Sequence, residues 1–295
     1  MIDLSIIIVN YNTADYLTNC LRSVFAQADA SYEVWVVDNA STDDSVTMVH
    51  NQFPQVHLLT NTENLGFAKA NNLAVQNAAG QFIYFLNPDT EVQPKCFSTM
   101  IRYMKKNPSV GMAGTKLLYP DHSEQNSVEE SYPGQHHTNG ELAGLPGRIA
   151  WLLGASLIAR HNVIKQVNGF SEDFFLYGED IDLSIKVRQA GWKLGFIPDA
   201  KVIHWEGKSE RNTIPIEVFR KKLTATAIFY QRHYTPASIK RICQASIRQA
   251  RWRLLTLPFE RLLTNDKAII AAKTERYRLI LRFSQTLAAK VLHTP

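Results

Sequence analysis

The 295 residues are 45% hydrophobic and 20% charged, which excludes a disordered chain and suits one large domain, or one domain plus a smaller appendage. Three cysteines, Cys20, Cys96 and Cys243, are odd in number and far apart; this excludes a disulfide framework or Cys/His zinc cluster and fits small buried hydrophobes in a reducing compartment. The net charge of +5 is uneven: residues 215–295 hold 16 Lys and Arg against 4 Asp and Glu, a net +12, and residues 1–214 hold 16 against 23, a net −7, so two parts with different partners are expected.

From residue 4 to about residue 115, short β-rich runs alternate with longer helical stretches, the signature of βαβ units and a largely parallel sheet. Strands are expected at 4–9, 33–37, 56–59, 82–86 and 111–115, and helices at 16–25, 44–52 and 67–78. The first two strands are apolar without alternation, so both faces of the sheet must be covered. Residues 120–148, rich in Ser, Gly and Pro and without periodicity, read as a long irregular loop. A further buried strand is expected at 149–159, a helix at 180–190, and two short strands at 193–197 and 201–205 around Pro198-Asp199. Helical patterns dominate from residue 215. The first residues lack the basic region and apolar core of a signal peptide, and no run approaches a membrane span; the expected place is the cytoplasm, with the inner face of the cell membrane as a peripheral option.

Polar residues collect where the strands end: Asn10-Tyr11-Asn12, Asp38-Asn39 and Asn87-Pro88-Asp89. In open α/β sheets the ligand crevice lies outside the carboxyl ends of the strands, so these clusters point to one site. Asp38 is suited to accept a hydrogen bond from a base or ribose, or to cap the next helix as an Asx-turn. Asp89, on a rigid turn, is placed to ligate a divalent ion or to serve as an ordinary turn acid. Glu179, Asp180 and Asp182 stand at a helix start behind a run of aromatics; the dipole stabilises acids there, and a partly desolvated carboxylate is what a general base requires. His204 offers a nitrogen to a metal, or a satisfied structural imidazole. Gly154-Ala155 leave room for close approach of a sugar or for tight packing, and Trp205 is a stacking platform or a core residue.

The ordered stretches Ser5-Ile6-Ile7-Ile8-Val9-Asn10-Tyr11-Asn12, Val36-Val37-Asp38-Asn39-Ala40-Ser41-Thr42-Asp43, Asn64-Leu65-Gly66-Phe67-Ala68-Lys69-Ala70-Asn71-Asn72, Leu86-Asn87-Pro88-Asp89 and Gly178-Glu179-Asp180-Ile181-Asp182-Leu183 cover roughly the first 210 residues. Together they resemble the family 2 glycosyltransferases, and within them the rhamnosyltransferase-like branch. The resemblance implies an α/β fold of GT-A type, a Rossmann-like mostly parallel sheet with helices on both faces, over residues 1–214, followed by a basic helical extension over 215–295.

It implies further that Val9 and Tyr11 lie beside a nucleotide base that Asp38 hydrogen-bonds, and that the stretch holding Asn64 and Lys69 lines the nucleotide side. Asp89 would be the metal-binding acid of a DxD-type motif, His204 a second ligand of Mg²⁺ or Mn²⁺, and Asp180 the catalytic base. Asn87 replaces the first acid of that motif, as is usual in this branch, and is counted with the nucleotide-binding residues. Glu179 and Arg188 are expected to fix the acceptor or the base, with Gly154, Ala155 and Trp205 on the acceptor side. The expected partners are a nucleotide-sugar donor, dTDP-rhamnose or a UDP-sugar, and a glycan or lipid-linked acceptor of bacterial surface polysaccharide synthesis. An NAD-dependent oxidoreductase would share the doubly wound pattern, but Asn10-Tyr11-Asn12 stands where its GxGxxG turn belongs and argues against it. A catalytically silent nucleotide-sugar-binding or partner-binding scaffold on the same fold is the alternative.

In the extension, Ile239, Ile242, Cys243, Ile247, Ala250 and Leu254 project to one side of a helix, with Lys240, Arg241, Arg248 and Arg251 beside them. That stripe suits either docking on an anionic membrane surface or packing on the protein itself. Nucleic acid is not an expected partner, since no recognition motif accompanies the charge.

Overall fold

The structure, a computed structural model, describes residues 2–205, 215–263 and 267–292. Contact clustering separates two compact units: Met1–Tyr132 with Leu145–Arg211, and Pro133–Gly144 with Asn212–Pro295.

The first unit is built on an eight-stranded sheet. Its elements in chain order are β1 (Leu4–Asn10), α1 (Ala14–Phe25), β2 (Tyr32–Asp38), α2 (Ser45–Gln52), β3 (His57–Thr60), α3 (Phe67–Val75), β4 (Phe82–Leu86), β5 (Thr90–Val92), α4 (Cys96–Lys106), β6 (Val110–Leu118), β7 (Val128–Glu129), β8 (Trp151–Leu152), β9 (Ser156–Arg160), α5 (His161–Gln166), α6 (Glu179–Gln189) and β10 (Lys193–His204). The spatial order is β3-β2-β1-β4-β9-β6-β10-β5, and β7 pairs with β8 apart from it. β1 runs parallel to both β2 and β4, while β9 runs antiparallel to β4 and β6.

The unbroken apolar character of β1 has the expected cause. Ile6 and Ile8 belong to a core layer on one face with α1 and α4, whereas Ile7 and Val9 belong to a second layer with α3 and α6. Each is at most 7% exposed, and burying such a side chain is worth about 1.5–3 kcal/mol. The chain leaves β1 for β2 and β3 on one side and returns to β4 on the other, so a topological switch point opens at the carboxyl end of β1.

Three expectations are corrected. Residues 149–159 form two strands rather than one: β8 pairs with β7 and its register carries on to the Leu153 N–H on Ser127 O, then the Gly154 N–H turns to the Asp180 carboxylate before β9 joins β4 and β6. Residues 193–204 form one strand rather than two. The ladder with β6 shifts register between Ile197 and Lys201, where Pro198 has no N–H to give, and then resumes. The expected loop 120–148 carries β7 and a 3-10 turn at Gln135–His137, and its segment Pro133–Gly144 clusters with the second unit.

The second unit contains α7 (Pro215–His233), α8 (Pro236–Leu263) and α9 (Lys267–Leu292). Here Ile239, Ile242, Cys243 and Ala250 are buried and Ile247 and Leu254 half-buried. Of the two settings the stripe suits, packing on the protein is the one it takes in α8. Ile242 lies against Gly134, Tyr234 Oη donates to Pro133 O, and Arg241 donates to His137 O and to Asn139 Oδ1. The Glu141 carboxyl works against its own burial, and the Ser238 and Thr235 hydroxyls pull it down to about 2. All three cysteines are free and buried; burial pushes the Cys20 thiol up to about 12 and the Cys243 thiol up to about 11.

Candidate active site

Register alone gathers the polar residues. Asn10 pairs with Asp38 across β1 and β2, Leu86 pairs with Ser156 across β4 and β9, and His204 pairs with Thr90 across β10 and β5. The residues that follow or precede those positions therefore share the edge of the sheet at which β1, β2, β4 and β10 end.

On the β1/β2 side, Asp38 is 2% exposed, and both of its carboxylate oxygens are engaged. Oδ1 accepts from Asn10 Nδ2 at 2.8 Å, and Oδ2 accepts from the Ser41 N–H, three residues on, at 2.9 Å. Each oxygen retains a further lone pair. Asn12 and Ala40 both adopt left-handed backbone, with φ of 54° and 61°, and their loops are tied by Ser41 Oγ to the Asn12 N–H and by Asn12 Oδ1 to the Thr42 N–H. Tyr11 is 40% exposed beside this junction, while Val9 is buried in the core.

The stretch with Asn64 and Lys69 is held at Gly66. Asn64 Oδ1 accepts the Gly66 N–H at 3.0 Å, and Asn39 Nδ2 donates to Gly66 O at 3.2 Å. Gly66 has φ +82°, and a Cβ there would lie 2.5 Å from Phe175 O, so only glycine fits. Asn64 is half-buried and Lys69 exposed.

On the β4/β5 side, the Asn87 N–H donates to Ala155 O at 3.0 Å, and Asn87 Oδ1 is buried without a hydrogen-bond partner. Asp89, 2% exposed, takes the Trp205 N–H on its backbone carbonyl, and its Oδ1 stands 3.6 Å from His204 Nε2. The other imidazole nitrogen of His204, Nδ1, meets Gln125 Oε1 at 2.9 Å. The Nδ1–H tautomer would donate to that oxygen and leave Nε2 for a metal ion. Two ligand atoms about 2.1 Å from one divalent ion stand about 3–4 Å apart, so Asp89 and His204 are spaced to share one. Among the described residues no group of three or more His, Cys, Asp or Glu gathers around a metal position. Trp205 Nε1 reaches Glu91 Oε1 at 3.3 Å, and its ring lies 6.0 Å from that of Tyr16.

At the start of α6, Tyr177 and Gly178 take φ of 71° and 82°, a double left-handed turn that swings the helix into place. Asp180 is half-buried; its Oδ2 accepts the Gly154 N–H at 3.0 Å and its Oδ1 the Ile181 N–H at 2.9 Å. Burial raises its carboxyl above the usual range against the pull of those N–H groups. Gly154 and Asp180 touch, since a Cβ on Gly154 would stand 3.2 Å from Asp180 Cβ. Glu179 is 6% exposed with Oε2 unpartnered, and burial followed by the neighbouring Asp180 charge lifts its carboxyl to about 8. Asp182 is fully buried and accepts from Ser171 Oγ.

Arg188 has a different place from the one expected. Its fork is directed at the carbonyls of Leu145, Pro146 and Gly147 and at Tyr132 Oη, with the guanidinium 5.7 Å over the Tyr132 ring. Those partners take four of its five N–H groups, so it straps the segment entering β8 rather than reaching an acceptor. Gln125 was not singled out in the sequence; it lies in the aperiodic stretch after β6, and nothing in its neighbours marks it.

An open α/β sheet with its polar residues at a switch point, an acid and imidazole paired at one strand end and a carboxylate at a helix start make up the candidate site of this α/β fold. The chain matches glycosyl transferase family 2 over residues 5–167 and belongs to that family. It is 26% identical to the N-acetylglucosaminyl-diphospho-decaprenol L-rhamnosyltransferase of Mycobacterium tuberculosis, over 70% of this chain and 77% of that protein. It is also 26% identical to the rhamnosyltransferase WbbL of Escherichia coli, over 77% of this chain and 92% of that protein. Among solved structures it resembles the mannosyltransferase PcManGT from Pyrobaculum calidifontis in complex with GDP-Man and Mn²⁺, with a TM-score of 0.54 and 17% identity over 100% of this chain and 78% of that one. The protein is thus a family 2 glycosyltransferase, similar in sequence to two rhamnosyltransferases.

Proposed function

We propose that this glycosyltransferase moves rhamnose from dTDP-rhamnose, with inversion, to a hydroxyl of a lipid-linked glycan during bacterial surface polysaccharide synthesis. The observation that carries the reading is a run of contacts along one sheet edge: Asp180 to the Gly154 N–H, Ala155 O to the Asn87 N–H, then across Pro88 to Asp89, His204 and Gln125. It puts a raised-pKa carboxylate and an acid–imidazole pair into one frame. The names of the two relatives support the donor sugar and a lipid-linked acceptor; a UDP-sugar is the next donor to try.

In this reading Tyr11 and Asp38 receive the base, and the Asn64–Lys69 stretch closes the nucleotide side. Asp89 and His204, with the unpartnered Asn87 amide oxygen close by in sequence, would hold Mg²⁺ or Mn²⁺. When bound, such an ion would supply Lewis-acid neutralisation of the leaving diphosphate, and would let a part of the chain with net charge −7 accept an anionic donor. The acceptor hydroxyl attacks the anomeric carbon from the face opposite the diphosphate. As the new C–O bond forms and the bond to the diphosphate breaks, the hydroxyl proton passes to Asp180, and a single displacement inverts the centre. The Gly154 N–H keeps that carboxylate aimed, and the absence of a side chain at Gly154 leaves space above it.

Thermal unfolding with dTDP-, UDP- and GDP-sugars, with and without Mn²⁺, tests the assignment, because a ligand raises stability by mass action. The expected outcome is a Mn²⁺-dependent rise with dTDP-rhamnose that Asp89→Ala abolishes. Asp180→Asn keeps that rise and loses about 10²–10⁴-fold in turnover. A rise unaffected by Asp89→Ala would overturn the metal site, and a rise with another nucleotide alone would overturn the donor.

A further inference from the structure

With the expected stripe of α8 packed inward, the opposite side of the helix is left to solvent, and it is not polar. Trp252, Leu255 and Phe259 are 65%, 69% and 69% exposed. Their spacing of three and four residues sets them on one face within about 10 Å of helix length. Pro258 adds an exposed ring to the same face, and Arg248 and Arg251 stand exposed one turn towards the N-terminus. Three of the seven large hydrophobic side chains exposed among the described residues are thus neighbours on one helix, whereas scattered single exposures need no explanation.

The surroundings select the partner. Residues 215–295 carry a net +12. The one acid on α8, Glu260, is held by Arg253 at 2.8 Å and by Lys273 at 3.5 Å, so no carboxylate opposes the patch from its own helix. A second copy of the same face would bring like charge against like charge. An anionic bilayer meets both halves of the surface: arginines at the headgroups, the indole at the interface, and Leu255 and Phe259 at the acyl boundary. No described helix is long and apolar enough to cross a membrane, so α8 would lie flat. We infer that the Trp252-Leu255-Phe259 face of α8, flanked by Arg248 and Arg251, docks the protein on an anionic lipid surface.

Flotation of the full chain with phosphatidylglycerol-containing vesicles and with phosphatidylcholine vesicles tests this; the readout needs neither donor nor metal and so stands apart from the transferase reading. Binding is expected to the anionic vesicles and to weaken as salt is raised. Trp252→Ser, Leu255→Ser and Phe259→Ser combined should lower the bound fraction about tenfold or more. Arg248→Gln with Arg251→Gln should lower it about fivefold per charge. Because these side chains are exposed, both variants should unfold at the wild-type temperature. A triple variant that floats like wild type, or a wild-type chain that ignores anionic vesicles, overturns the inference. So does a wild-type dimer that the triple substitution dissociates while vesicles bind neither form.

Discussion

Glu179 and Asp180 are adjacent carboxylates with opposite circumstances. Asp180 is met by two backbone N–H groups, whereas Glu179 has a buried oxygen with no partner and a carboxyl raised from 4.5 to about 8. A raised carboxyl is at ease when protonated: its stabilising contribution is full below about pH 4.5 and is lost as pH climbs through about 8. Glu179→Gln cannot ionise, so its stability relative to wild type should improve between about pH 5 and pH 9, by at most a few kcal/mol at about 1.4 kcal/mol per pKa unit. Urea denaturation of both proteins across that range checks it; a flat difference would refute the raised carboxyl. Gln125 supports prediction of another kind. Gln125→Leu removes the partner of His204 Nδ1, and if Asp89 and His204 hold the ion, Mn²⁺ affinity should fall about 10–100-fold in a titration, with the fold intact.

At the scale of elements, what could be read from the sequence is what local pattern determines. β1 and β2 announced themselves by unbroken apolar runs because both faces are buried, and α6 by its acids at the dipole. β5 was missed because Thr90–Val92 are too few to show a period, although this short strand places Asp89 beside His204. The break at Gly154 was missed because the Asp180 carboxylate that takes its N–H lies 26 residues away. Asp89, Asp180 and His204 had a place at strand ends and a helix start, but their roles came only from the family resemblance; Gln125 and the true setting of Arg188 depend on tertiary neighbours that no spacing reveals. Arg188→Ala should therefore behave as a structural lesion. It leaves the carbonyls of Leu145, Pro146 and Gly147 without their donor, at a cost of about 3 kcal/mol or more in chemical denaturation. Lysine should rescue little, since one ammonium cannot replace the planar fork.

For the whole molecule, the chain carries opposite charge in its two stretches, −7 and +12, and the acidic stretch holds the site proposed for an anionic donor. Such a division makes sense when one part recruits its anion through an ion and the other through its own cations. The second unit is also discontinuous in sequence. If residues 212–295 are removed, the segment Pro133–Gly144 loses Tyr234, Arg241, Thr235 and Ser238 as hydrogen-bond partners. Limited proteolysis of that truncated chain should cut between residues 133 and 144 well before the full-length protein is cut there.

The same discontinuity bears on inheritance. A C-terminal extension that folded on its own sequence could be exchanged between related transferases as a cassette, carrying its surface preference along. Here the helices are fitted to twelve residues encoded about 70 positions upstream of the junction, with Gly134 cut to the size of Ile242. A recombination that exchanges the tail alone brings helices without their inner wedge. The two segments are therefore bound to change together, and a chimera that moves both should fold where one that moves the tail alone does not.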